Sequence, residues 1–376
     1  MKNDEYVLVA SLNPLDVFTT LFFSNGLEQP HPIRIVQYGR GDLGAALAGA
    51  SALVVIRGLF EFGDLVEAAR ALRVPTFYFV DDNFIVLRDH PGPHARFVQQ
   101  YSADRVRDAL PGFAGVLLSS RTLSDYFAEM NLHPRLLLFP PIAASRSAAR
   151  EPHDDGHLRV AFFGGLHLHE VFLERVLPAI RRLAREQPLS LMTMGMEPIA
   201  PSKGLSVSDR PYQPSYAVAV EAMTAAGVNV LLHPVADGLA NNRYKNPHAL
   251  ITAHAIGAVP VVSNLAPYDA LADDGVALRC ENSEESWYRA LVQAGQGADY
   301  RAALLTRLAD YCARHFDGRQ NRQIVAAILS ESAHPGRWLV QRRRALASVV
   351  LARRLARRLS SRLTGRAGLA ATVDLA

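Results

Sequence analysis

Short apolar runs of four to eight residues recur along this chain, separated by longer amphipathic stretches. That alternation limits the fold more than any other feature of the sequence. A strand that is apolar on both sides must be covered on both faces, and a parallel sheet sandwiched between helices does this. In the first half the strand candidates are 6–12, 33–38, 52–57, 75–80, 115–119 and 136–139, rich in Val, Ile, Leu, Phe and Tyr. Helical spacing fills 60–72 and 122–130, and the first of these stops ahead of the Arg73-Val74-Pro75 break.

Between 142 and 157 the pattern dissolves into Ala, Ser, Arg, Pro, Asp and Gly, as a linker does. A second series follows, with strands predicted at 158–163, 189–193, 229–233, 259–263 and 276–279 and helices at 169–185, 283–295 and 300–316. The pattern predicts an α/β protein of two Rossmann-like domains, 1–141 and 158–335, joined by the linker 142–157 and followed by a tail, 336–376. A length of 376 residues suits two cores better than one, and a chain 49% hydrophobic and 20% charged can bury them.

Other classes are excluded by what the sequence lacks. No apolar stretch approaches the ~20 residues that span a bilayer. The N-terminus enters a strand-like run without a signal-peptide core, and Cys280 and Cys312 supply neither a disulfide framework nor zinc-site spacing. The expectation is a cytoplasmic protein. Its net charge of +4 is uneven: 336–376 carries ten arginines against Asp374, a charge of +9, so the preceding body is acidic at −5.

In parallel α/β sheets, ligands gather at the carboxyl ends of the strands, where helix N-termini present free N–H groups. Phe162-Phe163-Gly164-Gly165 ends the first strand of the second domain, with His167 and His169 ahead of the next helix. Paired glycines permit close approach of a ligand, although a tight turn with surface histidines has the same sequence. Asn241-Asn242-Arg243-Tyr244-Lys245-Asn246-Pro247 precedes a helix that runs to about residue 255. Arg243, Lys245 and Asn246 there form either an anion cradle suited to a diphosphate or a solvated capping pair. Gly257-Ala258-Val259-Pro260-Val261-Val262-Ser263 closes that helix and enters the next strand.

Together these segments resemble the donor-site block of GT-B glycosyltransferases, most nearly the bacterial family 4 type of polysaccharide and O-antigen assembly. In the first domain, Ala52-Leu53-Val54-Val55-Ile56-Arg57 followed by Tyr78-Phe79-Val80-Asp81-Asp82-Asn83 is similar to that family's arginine-ended strand and acidic run. Leu136-Leu137-Leu138-Phe139-Pro140-Pro141 resembles the strand leaving the N-terminal domain. The resemblance implies transfer of a sugar from a nucleotide-sugar donor to a hydroxyl of a glycan or lipid-linked glycan, with retention of configuration. It also implies no metal and no cofactor beyond the nucleotide-sugar co-substrate. Lys245 would contact the donor diphosphate with Arg243 beside it, Gly164 and Gly165 would face the phosphates, and His169 would sit at a polar position after that loop. Glu170 would contribute to donor-sugar recognition. One departure stands out. Where the family places a glutamate that grips the ribose, this chain has Thr252, and at the partner position it has Tyr244. Thr252 can still hydrogen-bond the donor, without the help of a charge.

Asp81 and Asp82 fall at the carboxyl end of strand 75–80, at the expected cleft, where a carboxylate could bind or deprotonate an acceptor hydroxyl or simply anchor a loop. Adjacent residues in an extended segment point to opposite sides, so at most one of the two is expected to face the ligand directly. Arg57 would orient the acceptor or pair with one of them. The segment between Asp82 and Ala103, which includes His90, is a candidate acceptor-binding lid. In the tail, Arg353, Arg354, Arg357 and Arg358 share one helical face and Leu351, Leu355, Leu359 and Leu363 another, a pattern suited to an anionic membrane surface or to docking on the chain's own first domain. This sets the expectation of a peripheral protein at the inner face of the cell membrane. Nucleic acid is not expected as a partner, because the body is acidic and the tail has few aromatics. A sugar-nucleotide epimerase and a catalytically degenerate subunit that binds a partner enzyme remain the alternative readings.

Overall fold

The computed structural model describes residues 6–25, 27, 33–40, 42–89, 95–143, 156–271, 275–332 and 343. Within them are two six-stranded sheets, parallel at every pairing. The first contains β1 (Val7–Ser11), β2 (Ile33–Gln37), β3 (Ala52–Ile56), β4 (Thr76–Val80), β5 (Gly115–Leu118) and β6 (Leu136–Leu138), in the order β2-β1-β3-β4-β5-β6. The second contains β7 (Leu158–Phe162), β8 (Leu189–Met194), β9 (Leu205–Arg210), β10 (Val230–His233), β11 (Val259–Ser263) and β12 (Leu278–Cys280), in the order β12-β11-β10-β7-β8-β9.

Burial explains why the apolar runs became central strands. Every residue of β1, β3, β4, β5 and β11 is buried, as the two-sided apolar pattern requires. β9 was not anticipated from the sequence. Its residues, Leu-Ser-Val-Ser-Asp-Arg, alternate apolar with polar, and only Leu205 is buried, because an edge strand has one face and one side in water. The final strand begins two residues later than the expected 276, at Leu278. The helix expected over 169–185 is built in pieces, His169–Val171, a wider turn at Phe172–Val176 and Leu177–Ala184, with Pro178 at the start of the last piece.

Strand order locates the clefts. Each sheet reverses its direction of winding once, between β1 and β3 in the first and between β7 and β10 in the second, and ligands in such sheets sit outside the strand ends at that reversal. Arg57, Asp81 and Asp82 follow β3 and β4, whereas Gly164, Gly165 and Lys245 follow β7 and β10.

The halves are stitched together. Helix Arg319–Glu331 follows the second sheet in sequence but contacts the end of the first: Gln320 Nε2 donates to the Leu138 carbonyl (2.7 Å), Asn321 Nδ2 to Pro140 (2.8 Å), and Arg135 makes a bidentate pair with Glu331. On another side, Asn13 Nδ2 donates to Pro214 and the Tyr216 N–H to Leu15. Of the tail, only Arg343 lies within the described residues; it is buried and its guanidinium donates to the carbonyls of Ala50 and Arg73. The amphipathic stretch beyond it, His90 and most of the linker (144–155) lie outside the described residues. No helix among the described residues is long and apolar enough to cross a membrane.

The Asn321 side chain is fully buried, so Asn321→Ala strips the half-buried Pro140 carbonyl of its donor. The expected outcome is a loss of about 1–3 kcal/mol in unfolding free energy, read from the midpoint of urea denaturation.

Candidate active site

The centre of the site is a set of charges that the two sheets bring together. Beyond Val80 the chain bends at Asp81-Asp82, so the alternation of an extended segment does not hold there. Both carboxylates reach the Arg57 guanidinium: Nε lies 3.2 Å from Asp81 Oδ1, and Nη2 lies 2.8 Å from Asp82 Oδ2. Arg57 therefore pairs with both acids. Its side chain is 26% exposed, and the guanidinium lies over the Phe18 ring at 4.2 Å, with Phe84 at 5.3 Å. Asp16, which caps the turn Val17–Thr19 by accepting from the Thr19 N–H, adds a third carboxylate that feels the Arg57 charge.

Asp82 is the acid that faces the second domain. Its Oδ1 accepts a hydrogen bond from Asn241 Nδ2 at 2.8 Å and lies 3.9 Å from Lys245 Nζ. Asn241 is buried, and its Oδ1 accepts from the Asn83 N–H at 2.8 Å, so one amide side chain ties residues 82 and 83 to the second half. The three-residue helical turns of Ala240–Tyr244 continue this seam. The Tyr244 carbonyl accepts from Ser120 Oγ, the Arg243 carbonyl accepts from Thr122 Oγ1 (2.7 Å), and the Tyr244 ring packs against Tyr126 within the first domain's core. No signal in the sequence singled out Asn241, Asp16 or Phe18; each acquires its role from long-range contact.

Electrostatics separates the two aspartates. Burial pushes the Asp81 carboxyl up to about 7, against the pull of Arg57 and with the push of Asp82 and Asp16. Burial would raise Asp82 as well, but Lys245, Arg57 and the Asn241 amide together overcome it and hold that carboxyl at about 2. Asp16 is also raised by burial. Three carboxylates share two cations, Arg57 and Lys245, and a proton on the worst-placed acid brings the buried cluster near neutrality. Asp82 is the permanent carboxylate and Asp81 the one able to take or give a proton near neutral pH.

On the other side of the cleft, Lys245 Nζ lies 3.4 Å from His167 Nε2. Burial, with the nearby Lys245 charge, pushes His248 down to about 4. His233, whose ring meets that of His248 at 5.1 Å, is lowered by burial, His248 and Lys245. Both stay uncharged at neutral pH, and Lys245 supplies positive charge on this wall. Directly after it begins helix His248–Ile256, whose N-terminus has no side-chain cap.

The remaining sequence candidates are distributed as follows. Gly164 and Gly165 lead into the turn Leu166–Leu168, and a Cβ at Gly164 would come within 2.8 Å of Leu168 Cδ1. His169 packs edge-on against Phe162, and burial lowers it despite a bond with the Gly164 backbone. Glu170 is exposed. Asn246 uses its carbonyl to hold the His248 backbone N–H (2.8 Å). Arg243 is exposed and lies over the Tyr244 ring, donating to its hydroxyl. Thr252 is buried, with its hydroxyl between Tyr216 Oη (3.0 Å) and the His248 carbonyl (3.3 Å). Among the described residues no three His, Cys, Asp or Glu side chains cluster as a metal ion would need.

No protein-family model matches this sequence, and no curated protein matches it. Solved structures do match its fold. An α-glucosyltransferase, AGT, in complex with UDP matches with a TM-score of 0.59 at 9% identity, over 86% of this chain and 99% of that one. The UDP-forming α,α-trehalose-phosphate synthase of Burkholderia vietnamiensis matches with a TM-score of 0.54 at 14% identity, over 88% and 100%. TarM matches with a TM-score of 0.52 at 8% identity, over 74% of this chain and 54% of that one, so the chain spans about half the length of TarM. The shared feature is the fold, two facing Rossmann-like domains of the GT-B type.

Titration should expose the unequal aspartates. Asp81, raised in the folded state, favours folding below the ordinary carboxyl value of 3.8, and that contribution is lost as pH rises through about 7. Asp82 has the opposite sign: its contribution is present above 3.8 and lost as pH falls through about 2. Asp81→Asn should therefore remove a decline in unfolding free energy on the order of 3 kcal/mol between about pH 4 and about pH 7, measured by urea denaturation at successive pH values.

Proposed function

We propose that this chain is a glycosyltransferase that moves a sugar from a nucleotide-sugar to a hydroxyl of a glycan or lipid-linked glycan. The observation that carries the reading is Lys245, poised between Asp82 (3.9 Å) and His167 (3.4 Å) beside an uncapped helix N-terminus at the winding reversal of the second sheet. An ammonium beside the positive end of a helix suits a diphosphate, and it stabilises that group most when charge develops on departure. UDP-sugars are the first donors to test, because solved structures of the same fold bind or form UDP.

In this reading the donor lies along Gly164, Gly165, His167 and Lys245, and its diphosphate draws the Lys245 ammonium away from Asp82. The acceptor approaches from the Arg57 side, where Phe18 and Phe84 provide apolar faces. Asp81, near 7, is the group able to take the proton of the acceptor hydroxyl, while Asp82 remains a fixed negative charge that orients Arg57 and Lys245. The transfer proceeds with retention and with protein cations neutralising the leaving group. A lipid-linked acceptor accords with the cationic segment 336–376 meeting an anionic membrane surface.

A second reading is favoured by Thr252 and Tyr244. Thr252 is held by Tyr216 and Tyr244 is packed on Tyr126, and these are the positions where the resembled family carries glutamates. Such a chain would bind a nucleotide-sugar without transferring it, as a subunit of a partner enzyme.

A thermal-shift panel of nucleotide-sugars followed by transfer assays separates the two. Glycosyl transfer should fall by about 10²–10³-fold in Lys245→Ala and stabilisation by UDP should weaken, with a lower melting temperature in the absence of nucleotide because Asp82 loses one of its cations. Stabilisation by UDP-sugars with no transfer across a broad acceptor panel supports the second reading, and no stabilisation by any nucleotide or nucleotide-sugar contradicts both.

A further inference from the structure

Arg57 reaches the two aspartates from an uncommon backbone conformation. Its φ is +63°, in the left-handed region that disfavours side chains with a Cβ, and it stands at the end of β3 with no glycine in its place. The chain folds back immediately: the Gly58 N–H donates to the Ile56 carbonyl at 2.7 Å and the Leu59 N–H to the Arg57 carbonyl at 2.9 Å. A strained residue persists only where its surroundings hold it.

The surroundings here are two phenols. The Arg57 carbonyl accepts from Tyr78 Oη at 2.9 Å and from Tyr101 Oη at 2.8 Å. Tyr78 comes from β4 and Tyr101 from the segment before helix Ala103–Ala109, so the carbonyl is gripped by two separate parts of the domain. Both side chains are buried. Burial also raises both phenols well above their ordinary value, so each keeps the proton it donates. Tyr101 is itself fixed: its oxygen accepts from the Leu59 N–H at 3.1 Å and lies 3.4 Å from Glu61 Oε2, whose other oxygen accepts from Gln100.

We propose that Tyr78 and Tyr101 are positioning residues: their hydroxyls clamp the Arg57 carbonyl, hold the left-handed turn, and thereby deliver one guanidinium to both Asp81 and Asp82. The proposal rests on the transfer reading for its catalytic consequence, but not for its structural one. Neither tyrosine needs to touch a substrate. Their effect passes through Arg57, whose charge pulls against the burial of Asp81 while Asp82 and Asp16 push the other way. If the clamp is released, the guanidinium leaves its double contact and Asp81 holds its proton more tightly.

The test uses the full chain with Tyr78→Phe, Tyr101→Phe and the double variant, which remove hydroxyls and keep the ring volume. Two quantities are read: steady-state kinetics with a UDP-sugar donor, and the Asp81 titration midpoint by NMR of protein labelled with 13C at the aspartate carboxyls. Asp81→Asn identifies the resonance. The expected result for the double variant is an upward shift of the Asp81 midpoint and a fall in kcat of about 10²-fold. KM for the donor stays within about twofold, because the donor lies on the other domain. An unchanged midpoint overturns the proposal even if kcat and melting temperature fall, since that pattern marks a structural role alone. A shifted midpoint with wild-type kcat overturns the catalytic consequence. If the wild-type protein transfers no sugar, the transfer reading fails by itself and the midpoint alone decides whether the tyrosines position Arg57.

Discussion

The arrangement of this protein depends on keeping one buried carboxylate ionised. Asp82 stays a carboxylate because its partners come from three directions: Arg57 from the end of β3, Asn241 and Lys245 from the second domain. A lone ionised carboxylate in such a place would be expensive, and it would protonate, as its neighbour Asp81 does. The difference between two adjacent aspartates is therefore a difference in geometry. Asp81 has one cation at 3.2 Å; Asp82 has one at 2.8 Å, a second at 3.9 Å and a buried amide donor.

The same contacts make the domain boundary part of the site. Asn241 holds Asp82 and the Asn83 N–H at once, and Tyr244 is inserted among the aromatic side chains of the first domain, so Ala240–Tyr244 belongs to the second domain in sequence and to the first in packing. Lys245 follows directly from this anchored turn. Its ammonium is thus placed against the first domain's carboxylate rather than carried freely on a moving half. A diphosphate entering beside it would meet a cation already oriented, an advantage that preorganised charge has over charge that must be gathered.

Much of this was legible in the sequence, and the remainder failed for identifiable reasons. The two-sided apolar runs marked the central strands because burial on both faces leaves no polar positions, whereas β9 escaped because an edge strand keeps alternate residues in water. Asp81, Asp82 and Arg57 stood out as charged residues at strand ends and Lys245 as a cation ahead of a helix, and the structure gathers them. Arg243, although only two residues from Lys245, is occupied by Tyr244, a contact that depends on where the Tyr244 ring lies. Thr252 reads as a hydrogen-bonding residue on a helix, but its hydroxyl is held between Tyr216 and its own helix backbone. Asn241 gave no sign, because the first of two adjacent asparagines looks no different from the second until residues 159 positions apart in sequence are brought together. The left-handed turn of Arg57 was equally invisible, since non-glycine residues in that conformation are chosen by tertiary contacts rather than by local preference.

The central claim is that Asp82 and Asn241 couple the two domains through one buried, charge-assisted bond. A double-mutant cycle with Asp82→Asn, Asn241→Ala and their combination measures it directly, using unfolding free energies from urea denaturation at neutral pH. The account predicts a coupling energy of about 1–3 kcal/mol between the two positions. Effects that add to within about 0.5 kcal/mol would contradict it, because the residues would then stabilise the fold independently.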